Sequence, residues 1–196
     1  ALVRPLAMMA YADREVSDAP DEQYDDAIRP PLFLFLTLLI SHGLEALVAG
    51  RNPLLTGTRG LAALVDSDLA LLALRLVLFS LFALMMSLFM LRRQGLKLTH
   101  SNLRRPFYGQ CFTTAPLALM VGVATLLPTF HPSHGRTAGA VVMLCAALWY
   151  LGVQTVWFST RLRIGRFAGF RQAVAAVMTA TILFTAIALM LGLSAQ

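Results

Sequence analysis

Five apolar stretches, each about as long as a bilayer is thick, alternate with short polar segments along this chain. They run from Pro31 to Gly50, Leu69 to Leu91, Phe107 to Phe130, Thr137 to Thr160 and Phe170 to Ser194. A helix needs about 20 predominantly apolar residues to cross the hydrocarbon core, so each stretch predicts a transmembrane helix. The expected fold class is all-α: a polytopic membrane bundle of five helices over residues 30–196, preceded by an N-terminal arm, 1–29.

The ends of the stretches carry boundary signals. Pro30 and Pro31 stop any preceding helix and open the first span, and Gly50, Asn52 and Pro53 close it. Asp66, Ser67 and Asp68 place oxygen acceptors and negative charge where the second helix begins. Ser101 or Asn102 is expected to cap the approach to the third span. His131-Pro132-Ser133-His134-Gly135 reads as a tight loop between the third and fourth.

Charge strengthens this picture. All ten Asp and Glu lie within the first 68 residues, and the 128 that follow carry eleven Lys or Arg and no acid. A soluble surface needs both signs interspersed, whereas a membrane protein does not. The chain is 58% hydrophobic and 13% charged, against about 25% charged in soluble domains. Its net charge of +6 does not point to nucleic acid, because the basic residues form short clusters between apolar runs rather than one patch.

Those clusters also set an orientation. Arg4, Arg14 and Arg29 precede the first span, Arg92, Arg93, Lys97, Arg104 and Arg105 follow the second, and Arg161, Arg163, Arg166 and Arg171 follow the fourth. Only Arg51, Arg59 and Arg136 fall on the other side. The positive-inside rule puts the rich side in the cytoplasm. The expectation is a multi-pass protein of a bacterial inner membrane, with its N-terminus cytoplasmic and its C-terminus outside. No secretory signal is evident after Ala1, and a segment ahead of Ala1 is left open.

Seven of the acids crowd the arm: Asp13, Glu15, Asp18, Asp21, Glu22, Asp25 and Asp26. Ser17 or Asp18, with Pro20 just after, predicts a short amphipathic helix ending before Pro30, with Tyr24 and Ile28 on one face. The plain expectation is a solvated acidic arm. The sharper one is an arm that folds onto the basic loops or docks a basic partner, which takes many charges because single exposed pairs are weak.

Inside the spans, Glu45 is the only acid and Arg75 the only deeply placed base. Counted from the same membrane boundary at 1.5 Å per residue, both lie roughly 8–9 Å deep. A central membrane charge costs about 2.5–3.5 kcal/mol on the insertion scale, so pairing is the natural resolution. His42 precedes Glu45 by three residues and shares its helix face. The trio is expected to be a structural ion pair or, alternatively, a functional polar site. Pairing of Glu45 with another subunit is a third outcome.

Other chemistry is sparse. His131 and His134 lack the third and fourth ligands that zinc sites normally need, so no metal and no cofactor is expected. There is no Gly-x-Ser-x-Gly, no His-Glu-x-x-His and no phosphate loop, and an enzyme is not expected. Pro116 predicts a kink in the third span, with Thr113 and Thr114 resatisfying the freed backbone. Gln110 and Gln154 suit interhelical hydrogen bonds. Trp157 suits the interfacial belt, and Trp149 and Tyr150 suit packing or lipid. Ala176 and Ala180, and Gly135 and Gly139, are spaced for close helix contact. Cys111 and Cys145 fall at different depths and are expected to be unpaired.

The layout of an acidic N-terminal segment, five closely spaced spans and a short tail resembles the Yip1-domain proteins. The segment Phe107-Tyr108-Gly109-Gln110-Cys111-Phe112-Thr113-Thr114-Ala115-Pro116 is similar to the aromatic-rich, proline-containing entry of such proteins. The resemblance covers roughly residues 13–196. It implies a helical membrane protein with scaffolding or trafficking-like roles and no established catalysis, and it carries no functional residue set. The leading expectation is a non-catalytic membrane scaffold or accessory subunit, with lipids, other subunits or a second copy as partners. The rival is a small permease or proton-linked transporter using His42, Glu45 and Arg75. A lipid-modifying enzyme holding phosphates on its cytoplasmic arginines lacks a convincing nucleophile or base.

Overall fold

A computed structural model describes residues 1–18, 23–25, 27–49, 68–130 and 134–194. These residues form six helices: α1 (Pro5–Glu15), α2 (Pro30–Ala49), α3 (Asp68–Arg93), α4 (His100–Phe130), α5 (His134–Leu162) and α6 (Arg166–Ser194), with no strand among them. The last five are long and apolar enough to cross a membrane.

The helices outrun the apolar stretches at several ends. α4 begins at His100, seven residues before Phe107, because its first turn is stabilised by hydrogen bonds rather than by lipid. Thr99, not Ser101 or Asn102, takes the capping place: its Oγ1 accepts the Asn102 N–H at 3.3 Å. Residues 131–133 of the expected tight loop lie outside the described residues, and His134 and Gly135 already belong to α5.

α4 is the centre of the bundle, packed against α1, α2, α3 and α5, while α6 closes the far side against α5 and α3. Its span is 61% buried, against 17% to 33% for the others. Beside Gln110, Phe112, Pro116 and Leu126, the residues it buries are small or hydroxylated: Gly109, Cys111, Thr113, Thr114, Ala115, Ala118, Gly122 and Ala124. Such residues allow close backbone approach where lipid removes the hydrophobic drive between helices. Two apolar clusters flank it. Leu34, Leu38, Leu72, Phe79, Cys111, Ala115 and Ala118 join α2, α3 and α4. Met9, Met86, Met90, Tyr150, Trp157, Phe158, Ala173 and Ala176 join α1, α3, α5 and α6.

The glycine and alanine spacings serve contacts within the chain. Pro128 lacks an N–H, so the Ala124 carbonyl one turn earlier has no helical donor. Gly139 of α5 sits against that carbonyl, where a Cβ would come within 2.5 Å of the oxygen. Gly135 approaches the Leu127 carbonyl in the same way. Ala176 and Ala180 are fully buried within the chain. α4 also runs on through Pro116, but Thr113 does not resatisfy the carbonyl that Pro116 frees. Its Oγ1 turns to the Gln110 carbonyl at 3.0 Å, because Gln110 places two acceptors in its reach.

The arm differs from its expectation. The helix lies upstream at Pro5–Glu15, and residues 23–25 form a turn with Tyr24 at φ 60°. Asp21, Glu22 and Asp26 lie outside the described residues. Pro5 opens α1, and Met9 and Ala12 bury a stripe that the acidic stretch could not supply. α1 packs on α4: Met9 meets Gly109, and the Tyr11 ring lies at a tilt to Phe112, 6.5 Å away. Its first residues, Pro5 to Ala7, share a groove with Trp149 and Gly152 of α5. The arm is therefore wedged alongside the bundle rather than standing away from it.

Candidate functional site

Polar side chains gather at three levels. At the first, the basic clusters that flank α3, α4 and α5 come together at one end of the bundle, and the arm meets them there. The Asp13 carboxylate pairs with Arg161. Arg105 donates to the Ser17 hydroxyl. Arg104 donates to Gln23 Oε1 at 2.6 Å, and its guanidinium lies 5.2 Å from the centre of the Tyr108 ring. Gln23 in turn donates to the Asp18 carbonyl at 2.7 Å. Of the expected acidic residues, only Asp13 meets an arginine among the described residues, and Asp25 is exposed.

Tyr24 fixes this end of the arm. Its N–H donates to Glu15 Oε2 at 2.9 Å, and its ring sits 5.9 Å from Tyr108 and 6.4 Å from Tyr11. Burial, reinforced by Tyr108, Glu15 and Tyr11 and offset in part by Arg104, pushes its phenol above the ordinary tyrosine range. The sequence pointed to acids as the anchor. An aromatic in the left-handed region was not legible, because non-glycine residues rarely adopt it. Arg92, Arg93, Lys97, Arg163, Arg166 and Arg171 are at the same end, with Arg93 and Arg171 lining one shallow hollow.

The second level lies inside the bundle. Gln110 and Gln154 exchange two amide hydrogen bonds, Nε2 to Oε1 at 2.9 and 2.7 Å. Thr113, Thr114 and Tyr150 surround the pair, all buried. Trp157 is buried too, against Phe158 at 5.0 Å between ring centres, so it is not a lipid-facing belt residue. The reason is that α1 and α3 cover that face of α5. Cys111 and Cys145 are free thiols, one buried and one exposed.

The third level is the ion pair. Glu45 Oε2 lies 2.5 Å from Arg75 Nη2, joining α2 to α3. Thr37, Ser41, His42 and Glu45 form a buried polar stripe along α2. That stripe faces Gly122 of α4, where a Cβ would collide with Ser41 Oγ and come within 3.1 Å of Glu45 Oε1. Glu45 Oε1 has no hydrogen-bond partner among the described residues. Among those residues no three His, Cys, Asp or Glu side chains converge as metal ligands would.

No family model, no curated protein and no solved structure matches this chain. What the fold defines is a class: a multi-pass helical membrane protein, with polar contacts that join helix to helix at each level.

Proposed function

We propose that this protein is a non-catalytic membrane scaffold or accessory subunit. The observation that carries the proposal is the use of its polar side chains. The ion pair, the amide pair and the contacts of the arm each bridge two segments of the same chain. They lock helices together, and none aligns a nucleophile with a base. The resemblance to Yip1-domain proteins points the same way. The proposal includes a cytoplasmic basic end in a bacterial inner membrane, as the arginine distribution favours. Isolation from native membranes under mild detergent tests it: a stoichiometric partner or self-association is expected, and a lone monomer overturns it.

One observation favours a second function, proton-linked transport. Glu45 is buried, and one of its carboxylate oxygens has no hydrogen-bond partner among the described residues. Ionisable residues inside membrane spans commonly mark ion or proton pathways. Glu45→Gln separates the two: loss of proton-coupled flux in proteoliposomes with thermal stability kept supports transport, and a loss of stability alone supports a structural pair.

A further inference from the structure

We propose that the cavity at the basic end binds a phosphate-bearing anion, and that the phosphodiester of an anionic membrane lipid is its source. The proposal is independent of the scaffold function. The cavity measures about 440 Å³ and opens between the ends of α1, α3 and α5 and the start of α4. That is within the range of about 300–1,000 Å³ typical of small-molecule sites.

Its charges are unevenly matched. Arg105 and Arg161 both line it. Asp13 already pairs with Arg161. Arg105 holds only the neutral Ser17 hydroxyl, and no carboxylate pairs with it among the described residues. The charged residues lining the cavity, Arg105, Arg161 and Asp13, therefore sum to one positive charge, with Glu15 and Asp18 lining an adjoining hollow beside Arg105. Asn102, in the first turn of α4, lines the same space, so the positive end of a 31-residue helix adds to the field. A guanidinium fork beside a helix N-terminus suits phosphate oxygens.

The rest of the lining selects the source. Met90 and Trp157 form an apolar wall in the same cavity, at the level where the apolar spans end. A lipid phosphodiester carries a charged group and an apolar body a few ångströms apart, and this wall can take the second. Free phosphate has nothing to place there. Asp13 acts as a built-in competitor, occupying the second arginine until an anion replaces it.

The test is native mass spectrometry of the purified full chain, titrated with phosphatidylglycerol, phosphatidylcholine or inorganic phosphate. Phosphatidylglycerol is expected to bind about tenfold more tightly than phosphatidylcholine, with millimolar phosphate unable to displace it. Arg105→Gln is expected to lower that affinity about tenfold, and Arg92→Gln, outside the cavity, to change it less than about twofold. Arg105→Lys keeps the charge and is expected to retain part of the binding. It guards against a folding defect in the glutamine variant. Asp13→Asn frees Arg161 and is expected to raise affinity. Equal losses in Arg92→Gln and Arg105→Gln, equal binding of the two lipids, or no gain in Asp13→Asn overturns the site. Displacement by phosphate alone overturns the lipid as its source.

Discussion

The two buried polar contacts of the bundle solve the same problem differently. Gln110 and Gln154 meet at the centre, between α4 and α5, as a neutral pair in which each amide both gives and accepts. Glu45 and Arg75 meet at the edge, between α2 and α3, as a charged pair with the arginine side chain 19% exposed. α2 and α3 touch each other little and lean mainly on α4. A neutral reciprocal pair suits a dry centre because losing it leaves only dipoles unpaired. A charged pair at the edge satisfies both charges at once, but losing one partner strands a charge. The centre thus holds the low-stakes contact and the periphery the high-stakes one.

That comparison can be broken experimentally, beginning with the largest effect. Arg75→Ala leaves the Glu45 carboxylate buried alone and should cost about 3–5 kcal/mol, read as a lowered unfolding midpoint in detergent. Adding Glu45→Gln should recover most of it, and a double variant no better than Arg75→Ala would show the pair is not the source. Next comes Gly122→Leu, which drives a side chain into Ser41 and the Glu45 carboxylate. Overpacking of this kind costs about 1–3 kcal/mol, and a neutral result would mean α2 moves freely against α4.

Gln110→Leu alone should cost about 1–2 kcal/mol, near the upper end for polar contacts between membrane helices. Gln110→Leu with Gln154→Leu should be close to neutral, since no amide is left unpaired. If the double variant loses more than the single, the amides contribute more than mutual satisfaction.

The smallest effect concerns the arm. The Tyr24 phenol is pushed above its ordinary value of 10.0. A folded value raised in this way contributes stability that is intact below the unfolded value, and it is lost as pH rises through the folded value. Absorbance at 295 nm should show Tyr24 ionising late, together with release of the arm. Tyr24→Phe should remove that step at a neutral-pH cost of about 1 kcal/mol or less, since its hydroxyl makes only a 3.4 Å bond to the Ala12 carbonyl.

The ion pair was legible from residue types alone, because each span-embedded charge had a single candidate partner. The amide pair was half legible: Gln110 and Gln154 stood out as polar, but nothing along the chain joined α4 to α5 at that height. The arm was partly legible. Its acids drew attention to residues 13–26, and Asp13 and Tyr24 do help to dock it, but Met9 and Ala12 of α1 look unremarkable beside seven carboxylates. Trp157 misled for a related reason, since an aromatic near a span end fits both the interface and a covered face.

The sequence by itself determined the membrane class, the five spans and the clustering of basic residues, because the bilayer thickness and the cost of charge in lipid act on composition and length. Only the tertiary structure decided which helix is central, which faces are covered and where the arm lies. Lipid tails are as apolar as a protein core, so hydrophobic periodicity cannot tell an inward face from an outward one. Close contacts made by small residues, and polar groups that need partners, settle it, and both depend on neighbours distant in the chain.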